Sequence, residues 1–315
     1  MPTLTQLRYI LEVTRLGHFG RAAKVCHVSQ PTLSTQIAKA EDELGVQLLD
    51  RQTKPIRPTP TGTPLIEQAQ AVVAAHNKLK EMALGEAHQL AGPFSLGIIP
   101  TISPYLLPWF LPGFAQRHPA VELSVSELTT EQIVEQLRLQ QLDAAILATP
   151  LGEDALITRP LFYDAFFLYA HPDESVLRQK LVSVEKLDAE KLWLLADGHC
   201  FRNQVVNYCN ITQRRALYGS VSFVAGTIET LRNLIDTAGG YTLVPDMFVQ
   251  TLSTDVRGEQ VRAFHKPVPT REVSMVHHRN SWKRRMANAV WVSIDDQIPK
   301  GRQQPPQNSV VLPID

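Results

Sequence analysis

The stretch that decides the fold of the amino-terminal segment is Arg21-Ala22-Ala23-Lys24-Val25-Cys26-His27-Val28-Ser29-Gln30-Pro31-Thr32-Leu33-Ser34. Its first residues are small enough for a short helix to pack closely against a neighbour, and His27-Val28 predict a tight turn. Ser29 is a favoured N-cap for a second helix, and Pro31 is tolerated in the first helical turn, where its missing N–H would be unpaired. A short helix, a turn and a capped helix together predict a helix-turn-helix unit.

The sequence on either side completes a small helical domain. Residues 4–16 place apolar side chains at spacings of three and four, which predicts an amphipathic helix that ends at Gly17. The capped helix continues with a second apolar stripe and ends at Gly45. Two short extended runs in residues 46–57 then predict a wing. The fold class that we predict for residues 1–61 is an all-α winged helix-turn-helix domain.

Charge and polarity point to nucleic acid as a partner of this domain. The 315-residue chain has a net charge of zero, yet residues 1–60 carry eight basic and five acidic side chains. That surplus is small, so the arrangement of the residues, rather than their net charge, has to indicate whether the domain binds nucleic acid. Polar side chains near the start of a recognition helix can reach base edges, and basic wing residues can reach phosphates; a merely solvated helix face is the alternative. The candidate DNA contacts are Gln30, Pro31, Thr32, Ser34, Gln36, Lys39, Arg51 and Arg57.

Beyond the wing, a long helical pattern gives way to an alternating one. Residues 62–91 have apolar side chains at helical spacing without a partner in so small a domain, which favours a linker helix that dimerises. A core helix of the next domain is the alternative. Residues 92–297 alternate short apolar runs with helical patterns, which predicts an α/β regulatory domain with helices on both faces of a sheet. The Pro- and Gln-rich residues 298–315 are predicted to be a disordered tail, because that composition cannot bury a core.

Two of the three cysteines lie close together in Asp197-Gly198-His199-Cys200-Phe201-Arg202-Asn203-Gln204-Val205-Val206-Asn207-Tyr208-Cys209. If the stretch after Cys200 is helical, the two Cα atoms lie roughly 13 Å apart. A disulfide needs Cα atoms about 4.4–6.8 Å apart, so the bond can form only if the local fold is given up. This geometry is typical of a redox switch, and two unrelated thiols are the alternative. The remaining cysteine, Cys26, is expected to be a buried apolar filler.

The start of the chain, its apolar runs and its few cysteines indicate the cellular compartment of the protein. The chain begins without a charged start and an apolar run, so no signal peptide is expected, and the apolar residues 104–114 are too short and proline-broken for a membrane span. Three cysteines in so long a chain point to a reducing, cytoplasmic environment, where a switchable disulfide makes sense. The histidines lack metal-ligand spacing, so we expect neither a metal site nor a cofactor.

Residues 1–90 resemble the winged helix-turn-helix and linker helix of LysR-type transcriptional regulators. The residues that carry this resemblance are Ala22-Ala23, Cys26-His27-Val28-Ser29-Gln30-Pro31-Thr32-Leu33-Ser34, Gln36-Ile37, Glu41-Asp42-Glu43-Leu44-Gly45-Val46 and Leu49-Asp50-Arg51. Within that family, Pro100-Thr101, Pro104-Tyr105-Leu106-Leu107-Pro108 and above all residues 197–209 resemble the OxyR-type hydrogen peroxide sensors. The resemblance extends to about residue 295 and departs in the proline-rich wing.

The resemblance implies a two-part regulatory domain and a peroxide site. It implies two Rossmann-like subdomains similar to periplasmic binding proteins, the first formed by residues from about 93 to 163 and 267 to 295, the second by those from about 164 to 266. It further implies that Cys200 is the peroxidatic cysteine and Cys209 the resolving cysteine of a reversible disulfide. The residues that would bind peroxide and activate the thiolate are Thr101, Thr130, His199, Gln204 and Arg279.

The resemblance also implies partners for the protein, and two other functions remain as alternatives. The resemblance implies a homotetramer, a dimer of dimers, that binds promoter DNA and activates oxidative-stress genes, with RNA polymerase as a further partner. A thiol reductant such as glutaredoxin or thioredoxin would reset the disulfide, and the protein would not be an enzyme. One alternative is a LysR-type regulator that binds a small organic effector in the cleft between the subdomains. A thiol peroxidase is the other, although it would leave the first ninety residues without a purpose.

Overall fold

The computed structural model describes residues 1–84, 90–209, 216–218, 221–223, 225–281 and 283–314. Its helices are α1 (Leu4–Leu16), α2 (Phe19–Val25), α3 (Gln30–Leu44), α4 (Gly62–Leu84), α5 (Ser103–Arg117), α6 (Thr130–Arg138), α7 (Cys200–Tyr208), α8 (Ile228–Ala238), α9 (Asp246–Val249), α10 (Thr254–Gln260) and α11 (Arg284–Asp295). Its strands are β1 (Leu49–Asp50), β2 (Arg57–Pro58), β3 (Gly92–Ile98), β4 (Val121–Glu127), β5 (Ala144–Thr149), β6 (Leu156–Ala170), β7 (Leu181–Val182), β8 (Ala216–Tyr218), β9 (Val221–Phe223), β10 (Tyr241–Pro245), β11 (Val261–Phe264), β12 (Val268–His278) and β13 (Ser309–Val311). None of the helices within these ranges is long and apolar enough to cross a membrane.

The amino-terminal domain forms as the sequence predicts. Thr3 and Gln6 form a capping box at the start of α1, and Gly17 ends the helix in the left-handed conformation, with a φ of 61°. A Cβ atom on Gly17 would lie only 2.6 Å from the Cβ of Pro55, so glycine also lets the wing approach. Helices α1 to α3 close on a fully buried apolar core that includes Ile10 and Ile37. Strands β1 and β2 pair antiparallel as the wing.

Helix α4 leads from this domain to the regulatory domain. The hydroxyl of Thr59 accepts the backbone N–H of Gly62 at 2.8 Å and starts the helix. Ile66 is buried in the core of the amino-terminal domain. Asn77 accepts a hydrogen bond from Arg8 at 3.0 Å, which ties α4 to α1. The predicted long helix is confirmed as far as Leu84, and residues 85–89 lie outside the described part of the chain.

The regulatory domain is built on one curled mixed sheet that two groups of strands share. Its strand order is β4-β3-β5-β12-β6-β11-β7, with β10 also paired to β6 and β13 to β12. The long strand β6 joins the two groups, since its first part pairs with β12 and its last part pairs with β10 and β11. Strands β3, β4 and β5 run parallel. Residues 192–195, an apolar run in the sequence, contribute only isolated bridges to Tyr241 and Ala225.

The prediction of a disordered tail is wrong. Strand β13 pairs in parallel with the start of β12, with Ser309 opposite Val268. Beyond the strand, Leu312 and Ile314 are only 6% and 8% exposed, and the backbone N–H of Leu312 donates to the carbonyl of Thr270 at 2.8 Å. The segment needs no core of its own, because its strand pairs with the start of β12, which β5 leaves unpaired, and its apolar end is buried in the regulatory domain.

Candidate functional site

Cys200 is the first residue of α7 and lies in the core of the regulatory domain, 5% exposed. The chain enters the helix through Gly198, whose φ of 88° is readily adopted only by glycine. His199 is the N-cap residue, and within the described structure its side chain makes no capping hydrogen bond. The amide groups of the first turn therefore face the thiol end without a side-chain acceptor. A helix N-terminus of this kind presents N–H donors and the positive end of the helix dipole to a group placed there.

The second cysteine lies at the opposite end of the same helix. Cys209 is the C-cap residue of the nine-residue α7, and its backbone N–H donates to the carbonyl of Val205 at 2.9 Å. At a rise of 1.5 Å per residue, the helix keeps the two Cα atoms roughly 13 Å apart. Both cysteines carry free thiols. A disulfide between them is therefore incompatible with this helix.

Burial sets the protonation of two groups at the ends of α7, Cys209 and His199. It raises the pKa of Cys209 to about 12, so this sulfur is a neutral thiol at physiological pH. It lowers the pKa of His199, so the imidazole is neutral as well and acts as a hydrogen-bonding group rather than as a cation. Arg202, two residues after Cys200, forms an ion pair with Asp197 at 2.7 Å.

A fully buried ion pair supports the start of α7. Arg271 and Asp164 are both 0% exposed and face each other across strands β12 and β6 at 2.9 Å. Arg271 also donates to the hydroxyl of Thr101 at 3.0 Å and to its carbonyl at 3.1 Å. Its guanidinium lies 5.4 Å from the ring centroid of Phe201, the residue directly after Cys200. The ring of Phe201 in turn packs edge-on against Phe166, with centroids 5.0 Å apart.

Arg279 donates its hydrogen bonds in the described structure to residues 154 and 155, and its predicted role at Cys200 stays a prediction. Arg279 follows the far end of β12, where its backbone N–H donates to the carbonyl of Ala155 at 2.9 Å and its guanidinium to that of Asp154. Eight residues of strand separate it from Arg271, a distance of roughly 26 Å along the chain. Sequence reasoning missed Arg271. A partial signal was present in the sequence: Asp164 is the one acidic residue of the largely apolar strand β6, and such a buried carboxylate requires a cationic partner.

Two other predicted site residues carry unsatisfied buried atoms. Thr130 is the first residue of α6, and its Oγ1 is buried without a hydrogen-bond partner in the described structure. Gln204 lies one helical turn after Cys200 and is fully buried. Its Nε2 donates to the carbonyl of Leu312 at 2.9 Å, whereas its Oε1 has no partner among the described residues. A buried polar atom without a partner costs about 1–3 kcal/mol, so both atoms favour a bound water or ligand.

A cavity of about 680 Å³ connects this region with α4. Cys200, Thr130 and Ile314 line one wall, and α4 forms another with side chains that include Ile66 and Gln70. Its charged lining consists of four carboxylates and one arginine, namely Glu67, Glu131, Glu135, Glu153 and Arg138. The cavity is therefore suited to a neutral molecule rather than an anion. No group of three or more His, Cys, Asp or Glu side chains in the described ranges could hold a metal ion.

Some of the predicted DNA-contacting residues are exposed to solvent on α3, the recognition helix of the helix-turn-helix unit, and on the wing. Gln30, Pro31, Thr32 and Lys39 are exposed on α3, Ser34 is half-buried beside them, and Arg57 is exposed on the wing. Two further predicted contacts have partners within the domain, although Arg51 is also exposed. Gln36 accepts a hydrogen bond from Gln6 at 3.1 Å, and Arg51 pairs with Glu41 at 2.7 Å and lies 5.4 Å from the ring centroid of Phe19.

Comparison with known proteins agrees with both halves of this description. Residues 4–63 match the model of the bacterial regulatory helix-turn-helix protein, lysR family, and residues 87–298 match the LysR substrate binding domain. The chain is 36% identical over 305 residues to the DNA-binding transcriptional dual regulator OxyR of Escherichia coli, covering 96% of this chain and 99% of the relative. It is 34% identical over 295 residues to a hydrogen peroxide-inducible genes activator of Haemophilus influenzae, covering 94% and 97%. A solved full-length OxyR variant from Pseudomonas aeruginosa is 34% identical, with a TM-score of 0.82 and coverage of 94% and 98%.

Proposed function

The chain belongs to the LysR family of bacterial transcriptional regulators, and we propose that within it this protein senses hydrogen peroxide through Cys200 and Cys209. The observation that carries the proposal is the placement of the two thiols at opposite ends of one helix, α7. The relatives named for induction by hydrogen peroxide support the choice of oxidant. The exposed face of α3 and the wing bind promoter DNA.

The chemistry is a two-electron oxidation of the thiols. The Cys200 thiolate attacks one oxygen of hydrogen peroxide, the O–O bond breaks, and the sulfur becomes a sulfenic acid while the leaving hydroxide takes up a proton to form water. The Cys209 sulfur then attacks the Cys200 sulfur, the S–O bond breaks, and the departing hydroxide takes the thiol proton and leaves as a second water. Two thiols are oxidised to one disulfide, and one peroxide is reduced to two waters.

Each of the residues around Cys200 has its own role in the reaction of the thiolate with peroxide. The amides at the start of α7 stabilise the thiolate, and the unpaired Thr130 hydroxyl orients the peroxide in the cavity. Gln204 Oε1 accepts a hydrogen bond from a bound water or from the peroxide. Neutral His199 supplies a further hydrogen bond. Thr101 and Arg271 act through Phe201, because they hold the first turn of the helix in place.

The second step requires α7 to open. Cys209 is a half-buried neutral thiol with a pKa of about 12, and it reacts more readily when the end of the helix opens. The disulfide then prevents the helix from reforming. This change reaches the DNA-binding domain along α4, because Gln70 of α4 donates to the carbonyl of Leu139 at the end of α6 at 3.3 Å. Half-site spacing on DNA follows from how the subunits are arranged, so moving α4 changes DNA affinity without altering a base contact.

The working assembly is a cytoplasmic homotetramer, a dimer of dimers, in which α4 dimerises neighbouring chains. It contacts RNA polymerase at activated promoters, and glutaredoxin or thioredoxin reduces the disulfide. The acidic cavity supports peroxide over an anionic organic effector, since peroxide is small and uncharged. A DNA-binding domain has no role in a thiol peroxidase, so we propose no catalytic turnover.

Serine variants of each cysteine test the proposal. With dilute peroxide, the wild-type protein should lose two free thiols and change its DNA footprint, whereas Cys200→Ser should do neither. Cys209→Ser should stop at a sulfenic acid on Cys200. Cys26→Ser is the matched control and should behave as the wild type, because Cys26 lies in the amino-terminal domain. An unchanged peroxide response in Cys200→Ser would exclude the mechanism.

A further inference from the structure

The carboxy-terminal segment, Ser309 to Ile314, holds the reduced form of α7 in place. We call these residues the tail segment. Its strand β13 is fixed to the start of β12, next to Arg271. Beyond the strand, its backbone turns toward α7, where two consecutive helix side chains donate to its carbonyls. Gln204 Nε2 donates to Leu312 at 2.9 Å, and Asn203 Nδ2 donates to Ile314 at 3.4 Å.

These contacts reach the cysteine itself. Ile314 is 8% exposed and lines the same cavity as Cys200 and Asn203. Gln204 is fully buried, so the hydrogen bond from its Nε2 to the carbonyl of Leu312 is shielded from bulk solvent. The tail segment therefore covers the same side of the helix that carries the peroxidatic thiol and one of the unsatisfied polar atoms.

The contacts depend on the helical form of α7. Bringing Cys209 to Cys200 requires the residues between them to leave their helical positions, and those residues include both donors. The carbonyl of Leu312 would then lose its buried donor, which is unfavourable for a buried acceptor. Apolar contacts of Leu312 and Ile314 would be lost with it.

We propose that the tail segment is a positioning element that favours the reduced, helical form of α7 and thereby limits how readily the Cys200–Cys209 disulfide forms. The proposal rests on the proposed function for its redox meaning, but its structural part concerns only the opening of α7. Removing the segment takes away one well-formed buried hydrogen bond and two buried apolar side chains. We expect opening of α7 to become at least about tenfold more frequent, because the hydrogen bond alone can account for nearly that factor and the apolar contacts add to it.

The test uses the full chain and two variants of it. The first variant ends at Asn308, and the second is Ile314→Ser, which keeps the strand. Val310→Ser is the matched control, because Val310 belongs to the tail segment as Ile314 does but is 37% exposed. Alkylation of Cys209 in the reduced proteins, followed by mass spectrometry of the peptide, reports opening of α7 without any peroxide. The rate of disulfide formation after dilute peroxide is measured in parallel.

The expected result is that Cys209 is alkylated at least about tenfold faster in the truncated chain and several-fold faster in Ile314→Ser, with the control within twofold of wild type. Disulfide formation should accelerate in the same order. Alkylation of Cys209 at the wild-type rate in both variants overturns the proposal. If the truncated chain does not fold, the comparison of Ile314→Ser with Val310→Ser decides alone. A wild-type chain that forms no disulfide with peroxide refutes the proposed function instead, while the alkylation rates still decide the role of the tail segment.

Discussion

Arg271→Met removes the cation of the most deeply buried ion pair and leaves Asp164 without its partner. Both side chains are 0% exposed, so water cannot replace the lost charge. Leaving one member of a buried pair uncompensated costs about 3–5 kcal/mol. For a regulatory domain of this size, each kcal/mol shifts the melting temperature by about 2–4 °C. We therefore expect the melting temperature of that domain to fall by roughly 10 °C, measured by calorimetry of the reduced protein.

Two further variants make this expectation specific. Arg271→Met combined with Asp164→Leu removes both charges and should regain most of the loss, although Met247 then loses the acceptor of its backbone N–H at 3.1 Å. Arg117→Met breaks an exposed pair with Asp296 at 3.0 Å and should cost less than about 1 kcal/mol. A double variant no more stable than the single one would refute the reasoning. Because Arg271 also supports Phe201, the double variant should still oxidise Cys200 more slowly than wild type.

Thr130→Val removes a buried hydroxyl without a partner in the described structure, so stability should change by less than about 0.5 kcal/mol while stopped-flow oxidation of Cys200 slows about tenfold. An unchanged oxidation rate would remove Thr130 from the site. Burial raises the pKa of Cys209 to about 12, so the stability from its neutral thiol is complete below the unfolded value of about 8.5 and is lost as the pH rises toward the folded value. Urea titrations at increasing alkaline pH should therefore show the free energy of unfolding falling more steeply in wild type than in Cys209→Ser, by at most about 1.4 kcal/mol per pH unit, and equal slopes would contradict the burial of this thiol. Lys39→Ala and Arg57→Ala should weaken binding to every DNA sequence and reduce the salt dependence by about one ion each, measured by DNA-binding titrations in a salt series. Arg51→Ala should instead mainly destabilise the amino-terminal domain in thermal melts, because its guanidinium pairs with Glu41, and a salt slope lowered as in Lys39→Ala would show that this pair opens on DNA.

The features that the sequence predicted well are those with local causes. Helices α1 and α3 end at Gly17 and Gly45, as their apolar periods and glycines indicate, and Ser29 caps α3 by accepting the N–H of Thr32. These elements depend on neighbours within a few residues, and such neighbours can be read directly from the sequence.

The features that the sequence did not predict depend on contacts between distant segments. The order of the residues does not show that Arg271 rather than Arg279 faces Thr101, because that choice depends on how β12 lies against β6. The order of the tail segment also depends on a distant segment. Its composition alone predicts disorder, whereas the start of β12 offers backbone groups with which it can pair. Gln36 and Arg51 are polar residues on a predicted DNA-binding surface, yet each has an internal partner. A residue type at a suitable position is therefore weaker support for a role than the partners that surround it.

The stability of α7 explains how one pair of cysteines can serve as an adjustable sensor. A helix of nine residues is marginal in isolation, since helices shorter than about 12 residues are barely stable in water. Its persistence in the reduced state must come from tertiary contacts: Phe201 against Phe166 and Arg271 at one end, and Gln204 against Leu312 in the middle. If disulfide formation opens α7 as proposed, these contacts oppose it, and each then contributes to the reduction potential. The oxidant threshold is then set by residues on β6, β12 and the tail segment, and substitutions there can change it without touching either cysteine.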